Sequence, residues 1–193
     1  MALFTETYLK NLAQTQPINE STRMMSESKQ KNSFDIFLSH CYLDKTAVKG
    51  LYIELTRLGF SVYVDWIVDS HLDRNNVTKE TAKIIQSRLK SSKSLLLATS
   101  ENADLSKWMP WELGYVDGHT QLCALVPVTN LSITKRTFER REFLLLYPYI
   151  KRAQSTNSRE RLWVVENATN YVVFEDWMNN IRPFFRDINI DGL

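Results

Sequence analysis

Residues 94–128 read SLLLATSENADLSKWMPWELGYVDGHTQLCALVPV, and this stretch decides the fold. It opens on one continuous apolar run (94–98, SLLLA) and closes on another (122–128, LCALVPV). Runs of that length, apolar without alternation, mark strands covered on both sides of a sheet. Between them, Met109, Leu113 and Val116 fall on one helical stripe, the natural face for packing on that sheet. Pro110 must lie in the first turn of this helix, because deeper inside it would remove a backbone hydrogen bond. A second stripe holds Trp108, Trp111, Glu112, Tyr115 and His119 by the same i, i+3, i+4 rule. Packing on a sheet gives this second stripe no obvious purpose. Glu112 is expected near the helix start, exposed at the domain rim and walled by flat aromatic faces. Such an acid suits a ligand that is partly aromatic and carries developing positive charge. The plainer reading is a surface glutamate beside aromatics that cover the core edge.

The alternation continues upstream. Residues 34–39 (FDIFLS) form an apolar run of strand length. Asp44 is placed to cap a helix whose apolar positions Val48, Leu51, Tyr52, Leu55 and Leu58 follow the helical period, with Gly59 as its stop. Residues 60–66 (FSVYVDW), rich in β-branched and aromatic side chains, read as the next strand. A polar loop at 67–77 precedes a helix with Ala82, Ile85 and Leu89 on one face. Strand and helix alternate four times, which predicts an α/β fold: a five-stranded parallel sheet with helices on both faces. Ligands bind such sheets beyond the carboxyl ends of the strands. Those ends supply Ser39 and His40, Asp65 and Trp66, and Thr99 and Ser100, with the start of the Glu112 helix on the same rim.

The flanks are less regular. Residues 1–33 begin weakly amphipathic (Leu3, Phe4, Tyr8, Leu9, Leu12), and 19–33 (NESTRMMSESKQKNS) read as a linker. Residues 134–150 mix charge with LLLYPYI, 151–161 form a basic loop, and 162–166 read as the fifth strand. A last amphipathic helix is expected over 171–185, stopped or kinked at Pro183. The organisation expected is an N-terminal helix and linker appendage (1–33), a central domain (34–166) and a C-terminal helix packed on it (167–193).

The 193 residues, 44% of them hydrophobic, suffice for one domain with a real core. A net charge of +2 gives no argument for nucleic acid or membrane partners. The two cysteines, Cys41 and Cys123, stand at or inside apolar runs and fit a reducing, cytoplasmic setting better than a disulfide framework. No secretory pattern opens the chain, and no apolar run approaches the ~20 residues that span a bilayer. No zinc-ligand spacing is present, and no metal is expected. A phosphate-cradling loop would need glycines after the first strand, where none of the five glycines lies. A receiver domain would end its third strand in a phosphorylatable aspartate; here it ends in Thr99 and Ser100. A GxSxG nucleophile elbow is absent.

At this point the residues carry a resemblance. The run 34–40 (FDIFLSH) followed by Asp44 resembles the opening strand of the Toll/interleukin-1 receptor (TIR) family. The loop at 67–77 takes the place of that family's BB loop. Trp108 and Glu112, four apart at a helix start, resemble the signature in which TIR enzymes carry their NAD-cleaving glutamate. The likeness covers roughly residues 34–166, an ordinary domain size. Size, the FLSH strand and the WELG helix are also similar to the TIR-like proteins of the bacterial Thoeris antiphage system. Cys41 departs from a serine common in TIR domains, and the 67–77 loop lacks the usual proline-containing consensus.

The resemblance implies a flavodoxin-like three-layer fold and an enzyme that cleaves NAD at the nicotinamide–ribose bond. It implies a cyclic ADP-ribose-type product that activates a separate effector, and low basal activity until a phage-derived trigger or self-association switches the enzyme on. Glu112 is implied as catalytic residue, with Ser39, His40, Asp65, Trp66, Ser100, Trp108 and Trp111 as substrate-binding residues. NAD is the substrate and no separate cofactor is expected. The chemistry agrees with one carboxylate: nicotinamide leaves from an already cationic ring, so no acid has to protonate it, unlike the two-carboxylate glycosidases. What remains is to hold the ribose and stabilise an oxocarbenium-like transition state.

Each candidate has a plainer reading. Trp66 and Trp111 could cap the core edge, and His40 could be a turn residue bonded locally. Asp69, His71 and Asp73 read as solvated residues of a mobile lid, and Cys41 as a packing residue. The basic residues Arg136, Arg140, Arg141, Lys151, Arg152, Arg159 and Arg161 read as solvated surface diluted by acids. A non-catalytic TIR scaffold is the competing function, and a nucleoside hydrolase of similar sheet type a weaker third. An acid in an aromatic cleft favours the enzyme.

Overall fold

The computed structural model describes residues 1–72, 78–130, 142–154 and 160–188. Its strands are β1 (Phe4–Thr5), β2 (Phe34–Ser39), β3 (Val62–Tyr63), β4 (Ser92–Thr99), β5 (Cys123–Thr129), β6 (Tyr149–Gln154), β7 (Glu160–Val165), β8 (Asn170–Val173) and β9 (Phe184–Phe185). Its α-helices are α1 (Glu6–Thr15), α2 (Ile18–Lys29), α3 (Lys45–Arg57), α4 (Asp65–Val68), α5 (Lys79–Lys90), α6 (Trp108–Asp117) and α7 (Phe174–Trp177). One sheet runs β3-β2-β4-β5-β6-β7-β8-β9. The first five strands of that order are mutually parallel, as the alternation predicts.

Side chains alternate across this sheet and divide the core in two. Ile36, Leu38, Leu96, Ala98, Ala124 and Val126 face α3 and its neighbours, where Leu51, Tyr52 and Leu55 close the layer. Phe37, Leu95, Leu97 and Leu125 face the other way, onto Ile85 and Leu89 of α5 and Met109, Leu113 and Val116 of α6. The period of two in the strands thus meets the 3.6-residue stripe of each helix, giving three layers. The helix α3 stops at Gly59, whose φ of +99° lies in the region glycine adopts without strain. Pro110 occupies the first turn of α6, where no hydrogen bond is lost.

Several expectations are corrected. The sheet holds nine strands among the described residues, not five. The fifth parallel strand is Tyr149–Gln154, while Glu160–Val165 pairs with it antiparallel. A β-meander of β6, β7, β8 and β9 extends the sheet. The helix expected over 171–185 is instead a strand, a single helical turn and a two-residue edge strand. Asn180 turns the chain between the last two with φ +66°. The strand expected at 60–66 shrinks to Val62–Tyr63, and Asp65 and Trp66 begin α4. Residues 19–29 of the expected linker lie in α2, which buries Met24.

The N-terminal residues join the core. Phe4 and Leu9 are fully buried. Phe4 and Thr5 pair with Val128 and Thr129, and Ala2 exchanges two backbone hydrogen bonds with Arg152. The Arg152 guanidinium lies 3.9 Å from the Tyr8 ring centroid and 3.5 Å from the Glu54 carboxylate. Lys151 is fully buried, so neither residue belongs to a solvated basic loop. Of that basic group, Arg136, Arg140, Arg141 and Arg159 lie outside the described residues. Among the described residues no helix is long and apolar enough to cross a membrane.

Candidate active site

The carboxyl ends of β2, β3 and β4 carry the polar groups expected there. The Ser39 hydroxyl, at the end of β2, donates to Glu112 Oε2 at 2.6 Å. Both residues are wholly buried. This corrects the exposed rim position expected for Glu112. Met109, Glu112, Leu113 and Val116 form one i, i+3, i+4, i+7 series, so the carboxylate shares the buried face of α6. Burying a carboxylate is costly unless donors meet it, and Ser39 supplies one.

The rest of the second stripe remains outside. Trp108 and Trp111 meet edge-to-face with centroids 5.5 Å apart, and Tyr115 continues the row at 5.8 Å from Trp111. Trp111 and His119 are exposed, and Trp108 is partly buried against the α5–α6 core. The aromatic row therefore flanks the acid and does not enclose it.

One residue beyond Ser39, His40 is almost fully buried, and both its ring nitrogens are engaged. Nδ1 bonds the Leu38 carbonyl at 2.9 Å, and Nε2 accepts the Trp66 indole N–H at 3.2 Å. Asp65 Oδ1 lies 3.5 Å from the same Nε2. Strand register explains the meeting. Phe37 pairs with Tyr63 in the parallel β2–β3 ladder, and His40 and Trp66 stand at the same offset three residues on. The Lys45 ammonium lies 4.9 Å from the Trp66 ring centroid, a cation–π contact that further holds the indole.

Ser100 belongs to a neighbouring group. Its hydroxyl bonds Asp44, whose other oxygen accepts from Asn102 Nδ2 at 2.7 Å. Asp44 precedes α3 but makes no side-chain cap there, because its carboxylate is committed across the sheet edge. A cleft lined by Glu6, Asp44, Ser100, Asn102 and Asn130 opens beside this group. Sequence reasoning gave no signal for Asn102 and assigned Asp44 the wrong partner.

The start of the 67–77 loop is pinned and not solvated. Asp69 is buried and receives Arg88 Nε and Nη2, each at 2.8 Å, together with the Tyr63 hydroxyl at 3.0 Å. Burial pushes its carboxyl up, but the hydrogen bonds from Arg88 and Tyr63 and the guanidinium charge outweigh that and hold it below the usual aspartate value. His71 is exposed as expected, and 73–77 lie outside the described residues. Cys41 and Cys123 are both free and buried. Burial pushes the Cys123 thiol up to about 12, which leaves it unreactive at neutral pH.

No protein-family model matches the chain. It is 42% identical over 191 residues to the "Probable 3' cyclic ADP-D-ribose synthase ThsB'" of Bacillus cereus (strain MSX-D12), covering 92% of this chain and 98% of that protein. It is 32% identical over 101 residues to the "Putative cyclic ADP-D-ribose synthase TIR2" of Cytobacillus dafuensis, covering 51% of this chain and 27% of that protein.

Proposed function

The chain belongs to the ThsB-like TIR-domain proteins, and from that premise we propose that it is an NAD-consuming cyclic ADP-ribose synthase of a Thoeris antiphage system. The observation that carries the reading is the buried Ser39–Glu112 hydrogen bond at the carboxyl edge of a parallel sheet. A carboxylate and a hydroxyl at that edge support the reading, because sheets of this kind bind ligands beyond the carboxyl ends of their strands.

Nicotinamide departs with the electron pair of its bond to the ribose, so the pyridinium charge is neutralised and positive charge develops on the ribose. The Glu112 carboxylate faces that charge and accepts hydrogen bonds from ribose hydroxyls. Ser39 orients the carboxylate from behind. In the active edge Trp66 offers a flat face to a ring of NAD, and Trp108 and Trp111 flank the opening. His40 and Asp65 stand beside Trp66, and Ser100 closes the neighbouring end. An oxygen or nitrogen of the same molecule then attacks the anomeric carbon; a hydroxyl nucleophile gives its proton to water in forming the ring. Glu112 is sealed in the state described, so admission of NAD requires the edge to open. That fits an enzyme of low basal activity, switched on by a phage-derived trigger and emitting a diffusible signal to a separate effector. The setting is cytoplasmic, where NAD is available.

The test is mass analysis of nucleotides from phage-challenged and unchallenged cells carrying wild-type or Glu112→Gln protein. A cyclic ADP-ribose isomer that appears on challenge with wild type alone supports the reading. Its absence from challenged wild-type cells, with partner binding intact, favours the scaffold.

A further inference from the structure

We propose that His40 is a positioning residue that sets the substrate-facing orientation of Trp66 through one tautomer-specific hydrogen bond. This rests on the reading in which Trp66 presents a face to NAD. The partners of the imidazole fix its state. A carbonyl only accepts, so the 2.9 Å contact with Leu38 places a proton on Nδ1. An indole N–H only donates, so the 3.2 Å contact with Trp66 requires a lone pair on Nε2. Together the two contacts select the tautomer with its proton on Nδ1, set by the backbone of β2 itself.

This makes His40 a relay from the rigid sheet to a residue on a short surface helix. The ring is almost fully buried and cannot turn without losing the Leu38 bond. Trp66 is partly exposed on a helix of a single turn, which by itself does little to hold an indole. Lys45 covers the Trp66 ring at 4.9 Å, but a cation over a π face permits sliding and rotation that a directed hydrogen bond does not. Asp65 Oδ1, 3.5 Å from Nε2, is the alternative partner should that nitrogen carry a proton. A proton there would turn the bond to Asp65 and leave the indole without its acceptor. The state seen holds the indole.

Variants of the full chain, assayed in extracts of phage-challenged cells in which wild type is switched on, test this with NAD as the probe and nicotinamide release as the readout. His40→Leu keeps bulk but removes the acceptor, and should raise KM about tenfold, the worth of one such hydrogen bond. The same change should move kcat less than about threefold, because binding and not the charge at the anomeric carbon is affected. His40→Gln retains an amide oxygen for the indole and should recover most of the lost KM. Trp66→Phe deletes the same bond from the other side and should raise KM alike, and adding His40→Leu to it should change nothing further. The Trp66 indole N–H resonance, assigned by its loss in Trp66→Phe, should move to the range of an unbonded indole in His40→Leu and remain in the hydrogen-bonded range in His40→Gln. An unmoved resonance in His40→Leu, a full extra KM rise in the double variant, or an unchanged KM in Trp66→Phe overturns the proposal. If Trp66→Phe leaves KM unchanged while Glu112→Gln is inactive, this proposal falls alone. If Glu112→Gln still forms product, the functional reading falls and takes the proposal with it. Where His40→Leu does not fold, Trp66→Phe and His40→Gln decide the matter.

Discussion

Ser39 Oγ and Glu112 Oε2 stand 2.6 Å apart although 73 positions separate them in the chain. One ends a central strand and the other lies in the second turn of the helix packed on it. Their meeting follows from the crossover topology, which brings α6 over the carboxyl ends of β2 and β4.

Ser39→Ala removes that donor and leaves a wholly buried carboxylate with one hydrogen bond fewer. The expected cost is about 1–3 kcal/mol of stability, together with a fall in nicotinamide release. Chemical denaturation and a release assay on the same preparation check both. Unchanged turnover in folded Ser39→Ala protein would remove Ser39 from the catalytic arrangement.

Asp69 predicts a defined acid sensitivity. Its folded carboxyl titrates below the usual value of 3.8, so the stability it contributes is fully present above that value and is lost as pH falls through the lower, folded value. Asp35 has the same sign: burial raises it, but hydrogen bonds from Lys93 and Ser61 win. Asp69→Asn should cost about 2 kcal/mol at neutral pH and flatten part of the acid limb, with the Asp35 share remaining. Denaturation midpoints followed from pH 7 downward would show a constant difference between the proteins if the assignment is wrong.

Gly50→Ala tests the docking of the N-terminal helix. A Cβ at Gly50 would overlap the Leu9 carbonyl of α1, a backbone atom that cannot swing aside. Separation of α1 from α3 should cost about 1–3 kcal/mol. A melting temperature equal to that of wild type would show that the two helices part easily.

The central sheet was legible because β4 and β5 keep unbroken apolar runs, only Asp35 interrupts that of β2, and α3 and α6 keep clean stripes. β6 escaped notice because Lys151 and Arg152 make YIKRAQ look like a surface loop, though Lys151 is wholly buried and Arg152 stacks on Tyr8. At the C-terminus Tyr171, Phe174 and Trp177 fit a helical stripe, and their strand and turn were set by pairing with β7, a long-range contact that local periodicity does not encode. In the site, residue identities could be read but pairings could not. The partners of His40 and Asp44 depend on strand register, and the burial of Glu112 on how α6 is rotated over the sheet.

Glu112→Gln separates catalysis from folding. The amide keeps the shape of the side chain and still offers an oxygen to the Ser39 hydroxyl, so the local geometry survives. What disappears is a charge that folding takes wholly out of water, and removing a buried charge lowers the cost of folding. Stability should therefore equal or exceed that of wild type, the usual relation where a site is built for activity at the expense of stability. Product formation should fall by a hundred- to a thousand-fold or more, on the order seen when one electrostatic partner of a transition state is lost. Glu142→Gln, in the peripheral turn after residue 141, is the control and should change neither property. Thermal unfolding and mass analysis of the product check the two halves separately. A Glu112→Gln protein that melts several degrees lower would show that the carboxylate holds the fold, and one that still yields wild-type product would show that it does not do the chemistry.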